Sequence, residues 1–349
     1  MKAELTLIPK LTIHPDKICS WNEIHWSPSK PCKNTLCLAD GTKVSKADRI
    51  KDSSRTANGL VSKNAHRKIS KALDYLLLMA SPKSGYIPKS GKKFSFRIAF
   101  VTFVLPSKQI HSDNEIKRTL WNSMLIELTK YHGVKNYLWR AEKQKNGNIH
   151  FHLIIDKFVK YDELRKRWNR VTNKLGYVDR YRENQKEWHK NGFRIRENLL
   201  KNWPADKQFQ AYKQGVKSDW TSPNTTDIHS VKYISNLKNY VQKYMTKNEG
   251  TEEKELTNCE KFAQQTGRIW GCNESLSGIE GARIDVDNEI KDALTQVIKK
   301  TGCRYFEDTY FSVFYIDMRQ LAENSPDILF KYFSEYLLTR FNYSNQLVF

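Results

Sequence analysis

Two runs, Tyr137-Leu-Trp-Arg-Ala-Glu142 and Ile149-His-Phe-His-Leu-Ile-Ile155, stand on either side of Lys143-Gln-Lys-Asn-Gly-Asn148. A β-hairpin is the simplest reading, because Asn-Gly accepts the left-handed backbone that closes such a turn. A hairpin commits the chain to an antiparallel sheet and puts residues two apart on one face. His150 and His152 therefore project together, with Phe151 on the other side. The turn decides what joins them. A two-residue Asn146-Gly147 turn pairs Glu142 with Phe151. A three-residue Lys145-Asn146-Gly147 turn, with Gly147 left-handed, pairs Glu142 with His150 and Arg140 with His152. Both fit the sequence; the second is expected here because it gathers Glu142, His150 and His152 on one face.

The elements around the hairpin can be read from periodicity and caps. Residues 62–78 have helical apolar spacing in their second half. Residues 94–105, dense in Phe, Val and Ile and stopped by Pro106, predict the first strand of the main sheet. Ser112-Asp-Asn-Glu115 supplies N-caps for a helix to about Tyr131, with Gly133 as its stop, and Asp162 opens a second, basic helix that ends at Gly176. A short strand over 227–231 and a helix over 232–247 follow. Strand, helix, two strands, helix, strand, helix is an α+β order, and the hairpin makes its core a central antiparallel β-sheet with flanking helices. The expected organisation is an irregular N-terminal segment over 1–60, a main domain over 61–275 carrying a long polar insertion at 179–224, and an acidic C-terminal domain over 276–349.

Charge narrows the partners. The chain carries 59 Lys and Arg against 38 Asp and Glu, a formal net charge of +21, which attracts polyanions and makes their binding salt-dependent. Residues 280–349 hold 8 Lys and Arg against 11 Asp and Glu, so the basic surface belongs to the residues before them. Trp and Tyr interleave with basic residues in Trp168-Asn-Arg170, Tyr177-Val-Asp-Arg180-Tyr-Arg182 and Trp188-His-Lys190. That combination suits stacking of unpaired bases beside neutralised phosphates; the plainer reading is a solvated basic face with aromatics turned inward. The longest apolar stretch, around Leu76-Leu-Leu-Met-Ala80, is too short to cross a bilayer, and Met1-Lys-Ala-Glu-Leu lacks a signal-peptide core, so a cytoplasmic protein without a membrane partner is expected. Six cysteines without CxxC pairs fit reduced thiols, with Cys19, Cys32 and Cys37 left open as a zinc set.

Two imidazole nitrogens and one carboxylate oxygen leave positions free for water and phosphate oxygens. Such a set suits Mg2+ or Mn2+ acting as a Lewis acid, Mn2+ tolerating imidazole better, with zinc left open. Read alone, His150 and His152 are more simply two exposed strand histidines beside a hairpin. The run Tyr240-Val-Gln-Lys243-Tyr244-Met-Thr-Lys247 adds a second half. On a helix, about 100° per residue puts Tyr244 about 40° from Tyr240, with Lys243 and Lys247 about 60° and 20° to the other side. Ile234, Leu237, Val241 and Met245 form a separate apolar face, so the core is supplied without the tyrosines. A tyrosine hydroxyl needs nearby positive charge or an activated phosphate to act as a nucleophile, and Lys243 and Lys247 offer the charge. Attack on a phosphodiester exchanges one ester for another, and a second tyrosine one turn away can reverse the exchange.

Together these residues resemble the HUH endonuclease superfamily, specifically its two-tyrosine rolling-circle replication initiators of the microvirus (phage) type. The strand over 94–105, His150-Phe151-His152, the run from Tyr240 to Lys247, and Gly267-Arg-Ile-Trp-Gly271 carry the resemblance. It implies an HUH-like sheet, a divalent metal on His150, His152 and the acidic Glu142, and a 5′-phosphotyrosine intermediate on single-stranded DNA at a replication origin. Tyr240 and Tyr244 would be the nucleophiles, and Lys243 and Lys247 their phosphate or hydroxyl partners. A host helicase and polymerase in a bacterial cytoplasm are the further partners such an initiator implies. A relaxase or single-strand transposase would share the chemistry. A non-enzymatic single-stranded nucleic-acid binding protein would need only the aromatics and the charge.

Overall fold

The computed structural model describes residues 5–26, 61–80, 83–87, 92–96, 98–144, 146–230, 267–308, 311–316 and 327–341. Strands β1 (Leu5–His14) and β2 (Lys17–Trp26) form a long hairpin, in register from Leu5↔Trp26 to His14↔Lys17. The two-residue connection is Pro15-Asp16, and Leu11, Ile13 and Ile18 are fully buried. Residues 5–26 are thus ordered strand, where the sequence reads as irregular. Their alternation is interrupted by Pro9 and Lys10, and it is completed only by partners far along the chain.

Residues 57–277 form a unit of their own. It opens with helix α1 (Lys63–Met79), capped by the Ser62 hydroxyl accepting from the Ala65 amide. A small hairpin follows, β3 (Lys83–Ile87) with β4 (Lys92–Phe96), and then β5 (Ala99–Val104). The expected single strand over 94–105 is therefore two: β4 pairs locally with β3, and only β5 enters the main sheet. Helix α2, over 113–132, contains a π turn at Lys117–Trp121 and ends at Gly133, whose φ of 63° is the left-handed cap expected of it. Next come β6 (Tyr137–Lys143), β7 (Ile149–Ile155) and α3 (Tyr161–Thr172). The expected insertion is helical, with α4 (Tyr177–Trp188) and α5 (Ala205–Ser218) before β8 (Thr226–Ser230). The helix expected over 232–247 lies outside the described residues. β9 (Trp270–Cys272) closes the sheet, whose order is β8-β5-β7-β6-β9, antiparallel throughout.

One face of this sheet is the core. Val101, Phe103, Trp139, Phe151 and Leu153 meet Leu120, Trp121 and Met124 of α2 and Leu164 and Trp168 of α3. Trp121 lies flat on Phe151, ring centroids 4.2 Å apart and planes within 2°. Phe151→Ala empties the centre of this stack and is expected to cost about 3–5 kcal/mol. Urea unfolding followed by circular dichroism checks this, and a loss under about 1 kcal/mol would contradict the packing described.

Lys117, on the π turn, is also buried. Burial pushes its ammonium down to about 8, with Asp113 pulling upward and Lys143 pushing downward. Between about 8 and its ordinary 10.5 the unfolded chain binds more protons than the folded one, so stability rises with pH across that window and the gain is lost as pH falls back to about 8. Lys117→Met is expected to flatten that rise. Urea midpoints for both proteins at about pH 7.5 and about pH 9.5 check it, because groups common to the two cancel.

The tail returns to the N-terminal hairpin, in one unit made of Met1–Thr56 and Gly278–Phe349. It comprises β10 (Ala282–Asp285), α6 (Asn288–Lys300), β11 (Arg304–Glu307), β12 (Phe311–Tyr315) and α7 (Asp327–Phe341). β10 pairs with β1 and β12 with β2, giving the order β10-β1-β2-β12-β11. The fold is α+β, built on two five-stranded antiparallel sheets. Among the described residues, no helix is long and apolar enough to cross a membrane.

Candidate metal centre

The hairpin turn settles the register. Gln144 N–H donates to Asn148 O at 2.8 Å and Gly147 N–H to Gln144 O at 2.8 Å, with Gly147 at φ 83°. Glu142 consequently stands opposite His150 and Arg140 opposite His152, the pairing of the three-residue turn. Side chains outside the hairpin hold it. The buried Asn148 accepts from the Gln109 amide at 2.8 Å and donates to Ser107 O at 2.9 Å, while Gln109 Oε1 accepts from Ile149 N–H at 2.7 Å. Lys143 reaches Asp113 at 2.6 Å, tying β6 to the start of α2.

On the face opposite the core, Glu142, His150 and His152 converge, with one ligand atom from each lying within 4.8 Å of the others. The two imidazole Nε2 atoms are 2.9 Å apart, and Glu142 Oε2 is 3.6 Å from that of His150 and 3.5 Å from that of His152. Cation bonds of about 2.1 Å at right angles separate neighbouring donors by about 3.0 Å, so the nitrogen pair has the spacing of adjacent ligands on one ion. The second ring nitrogens differ. His152 Nδ1 is 3.1 Å from Thr102 Oγ1, and the ring stacks on Phe100 at 5.3 Å. Ligation through Nε2 leaves the proton on Nδ1, free to donate to Thr102, the usual way a ligand imidazole is oriented. Nδ1 of His150 is buried without a hydrogen-bond partner among the described residues.

The electrostatics favour a charged Glu142 carboxylate beside a neutral His152 ring. Burial works to raise the Glu142 pKa, but hydrogen bonds from His150 and His152 and the charge of Arg140, whose Nε is 3.3 Å from Oε1, outweigh it and hold the carboxyl far below its ordinary range. For His152, burial lowers the pKa, and the pull of Glu142 does not fully offset it. A deprotonated carboxylate and neutral imidazole are the forms that bind a divalent cation. The donor set fits a divalent cation.

Tyr240, Lys243, Tyr244 and Lys247 lie outside the described residues, as do Cys32 and Cys37 of the alternative zinc set. Sequence reasoning does not single out Thr102 or Arg140 as site residues. The signal for Thr102 is the pairing Thr102↔His152, which is visible only once β5 is set beside β7. Gly267-Arg-Ile-Trp-Gly271 proves to be the approach to β9, with Ile269 O accepting from the Ala141 amide at 2.8 Å. Gly267 is required by its left-handed φ of 74°, and Gly271 by close approach, since a Cβ there would lie 2.8 Å from the Trp139 indole nitrogen.

Residues 98–249 match the family model described as Replication-associated protein ORF2/gene-II protein. The match begins at β5, encloses both histidines and the tyrosine run, and supports a rolling-circle replication initiator without singling out the microviral type. No curated protein and no solved structure matches the chain.

Proposed function

We propose that this chain, whose residues 98–249 match that replication-associated family, initiates rolling-circle replication by nicking and rejoining one DNA strand at an origin. The observation that carries this reading is the convergence of Glu142, His150 and His152 on one sheet face, inside the matched region and ahead of a Tyr-x-x-Lys-Tyr-x-x-Lys run. A divalent cation held by these three side chains supplies Lewis-acid polarisation of the scissile phosphate. The hydroxyl of Tyr240 or Tyr244 attacks phosphorus; the tyrosine O–P bond forms as the P–O3′ bond breaks. The phenolic proton is lost, and the departing 3′ oxygen gains one. Lys243 and Lys247 favour the phenolate and neutralise the phosphate. The freed 3′ end is a primer for a host polymerase, with a host helicase opening the duplex ahead. The 5′-phosphotyrosine conserves the bond until the second tyrosine takes its turn.

The test is incubation with circular single-stranded DNA and Mn2+, with and without chelator, followed by a denaturing gel. A covalent protein–DNA adduct that depends on metal is the expected result. No adduct on any DNA would overturn the reading and leave a nucleic-acid binding protein, while an adduct unaffected by chelator would remove the metal from it.

A further inference from the structure

The helices α4 and α5 and the segment between them enclose a cavity of about 280 Å3 that the nicking reaction leaves unexplained. Aromatic rings make its wall: Phe193, His189, Tyr212 and Trp220 form a connected set, with His189 4.8 Å from Tyr212 and stacked at 14° on Trp220. The indole is fixed by unusual means. Asp219 and Trp220, with φ of 49° and 53°, are the two non-glycine residues in the left-handed region among the described residues. Arg182 and Lys186 of α4 clamp the Asp219 carboxylate. Trp220 also lies so close over α5 that a Cβ at Gly215 would collide with its ring nitrogen. Strained backbone of this kind persists where the surroundings over-determine it, and it gathers at ligand clamps.

Polar groups complete the wall. Tyr181 and Gln185 line the cavity one helical turn apart, and neither side chain makes a hydrogen bond among the described residues. Arg194, also on the wall, lies 4.1 Å over the Trp188 ring. The volume sits just below the roughly 300–1,000 Å3 typical of small-molecule sites, which suits one flat ring system. Leu105 on the cavity wall follows directly on Val104, the strand partner of His150, so the wall begins one residue past a register position that carries a candidate ligand.

We infer that this cavity takes one unpaired nucleobase of the bound strand, stacked on Tyr212 beside Trp220 and read at its edge by Gln185 and Tyr181, with Arg194 on the neighbouring phosphate. Flat aromatic faces beside positive charge recognise single-stranded DNA, and an uncommitted carboxamide can discriminate base edges by paired hydrogen bonds. The inference rests on the reading that this unit handles single-stranded DNA. It is tested without metal, so its failure is separable from failure of nicking.

Fluorescence anisotropy of fluorescein-labelled dA20, dT20 and dC20 in chelator is the measurement, made on the full chain. The wild type should prefer one homopolymer by about 5-fold or more, as one edge-specific contact provides. Gln185→Leu with Tyr181→Phe should level the three affinities while leaving their salt dependence in place, since phosphate contacts remain. Tyr212→Leu should weaken all three by about 5- to 100-fold and Tyr212→Phe should restore them, because the phenyl face is what stacks. Gly215→Ala, which suits a helix but displaces the indole, should weaken binding likewise. Equal wild-type affinities, an unchanged preference in Gln185→Leu/Tyr181→Phe, or a folded Tyr212→Leu that binds as tightly as wild type would each overturn the inference and leave the rings as the small core of the helical insertion. An absent covalent adduct together with intact base discrimination would sink the nicking reaction and spare the cavity.

Discussion

His150→Ala combined with His152→Ala is expected to lower adduct formation on single-stranded DNA by about 10³-fold or more, because Lewis-acid stabilisation of the transferring phosphate is worth several kcal/mol and each 1.4 kcal/mol is tenfold. Affinity for the same DNA should stay within about twofold, since it rests mainly on Lys and Arg contacts to phosphates. The two readouts together separate a metal centre from a pair of surface histidines. Only the first predicts loss of chemistry without loss of binding. The expectation is sharpened by Glu142, which pairs with both rings: Glu142→Gln keeps the shape but removes the charge and should fall between wild type and the double variant. Thr102→Val is the gentler companion, expected to cost about 10- to 100-fold in metal affinity by releasing the Nδ1 side of His152. If the His150/His152 variant still forms adduct at the wild-type rate, the metal assignment is wrong.

Tyr240→Phe with Tyr244→Phe is expected to abolish the covalent adduct, because phenylalanine has no oxygen to bond to phosphorus. Each single variant should still nick through the remaining hydroxyl but fail to close the circle, since rejoining after a round of synthesis needs the second nucleophile. Analysis of linear and circular products on a denaturing gel distinguishes these outcomes. Full activity in either single variant would argue against alternation, and an adduct in the double variant would move the nucleophile elsewhere. Lys243→Ala is expected to slow nicking by about 10²-fold, a typical contribution from one group that stabilises charge developing in the transition state.

How much of this is legible in the sequence depends on range. The hairpin is readable because its determinants are local: Gly147 takes the left-handed backbone the three-residue turn demands, and that one conformation fixes Glu142 against His150. Helix ends are readable for the same reason, with Ser112 capping α2 and Gly133 closing it. The strand over 94–105 is not, because the apolar run Phe94-Ser-Phe is as good a partner for Lys83–Ile87 as an extension of β5, and nothing within the run says where it breaks. Residues 179–224 look like loop because their helices bury little, α5 only Gln208. The N-terminal hairpin escapes a local reading because its neighbours lie near the other end of the chain, where Ile284 stands opposite Leu11 and Val313 opposite Cys19.

That last pairing has a consequence for how the protein comes into being. β1 and β2 are made before residues 57–277, yet the strands that flank them, β10 and β12, are made after them. Contacts of such separation close slowly. The unit bearing Glu142, His150 and His152 has its described strands and helices in hand beforehand and can fold on emergence. Until the tail arrives, both edges of the β1–β2 hairpin are unpaired, and exposed edges invite pairing with another chain. Truncating the acidic tail therefore does not trim an appendage: it leaves an orphaned hairpin at the other terminus, and soluble yield should fall further for a chain ending near residue 277 than for one that also lacks residues 1–56.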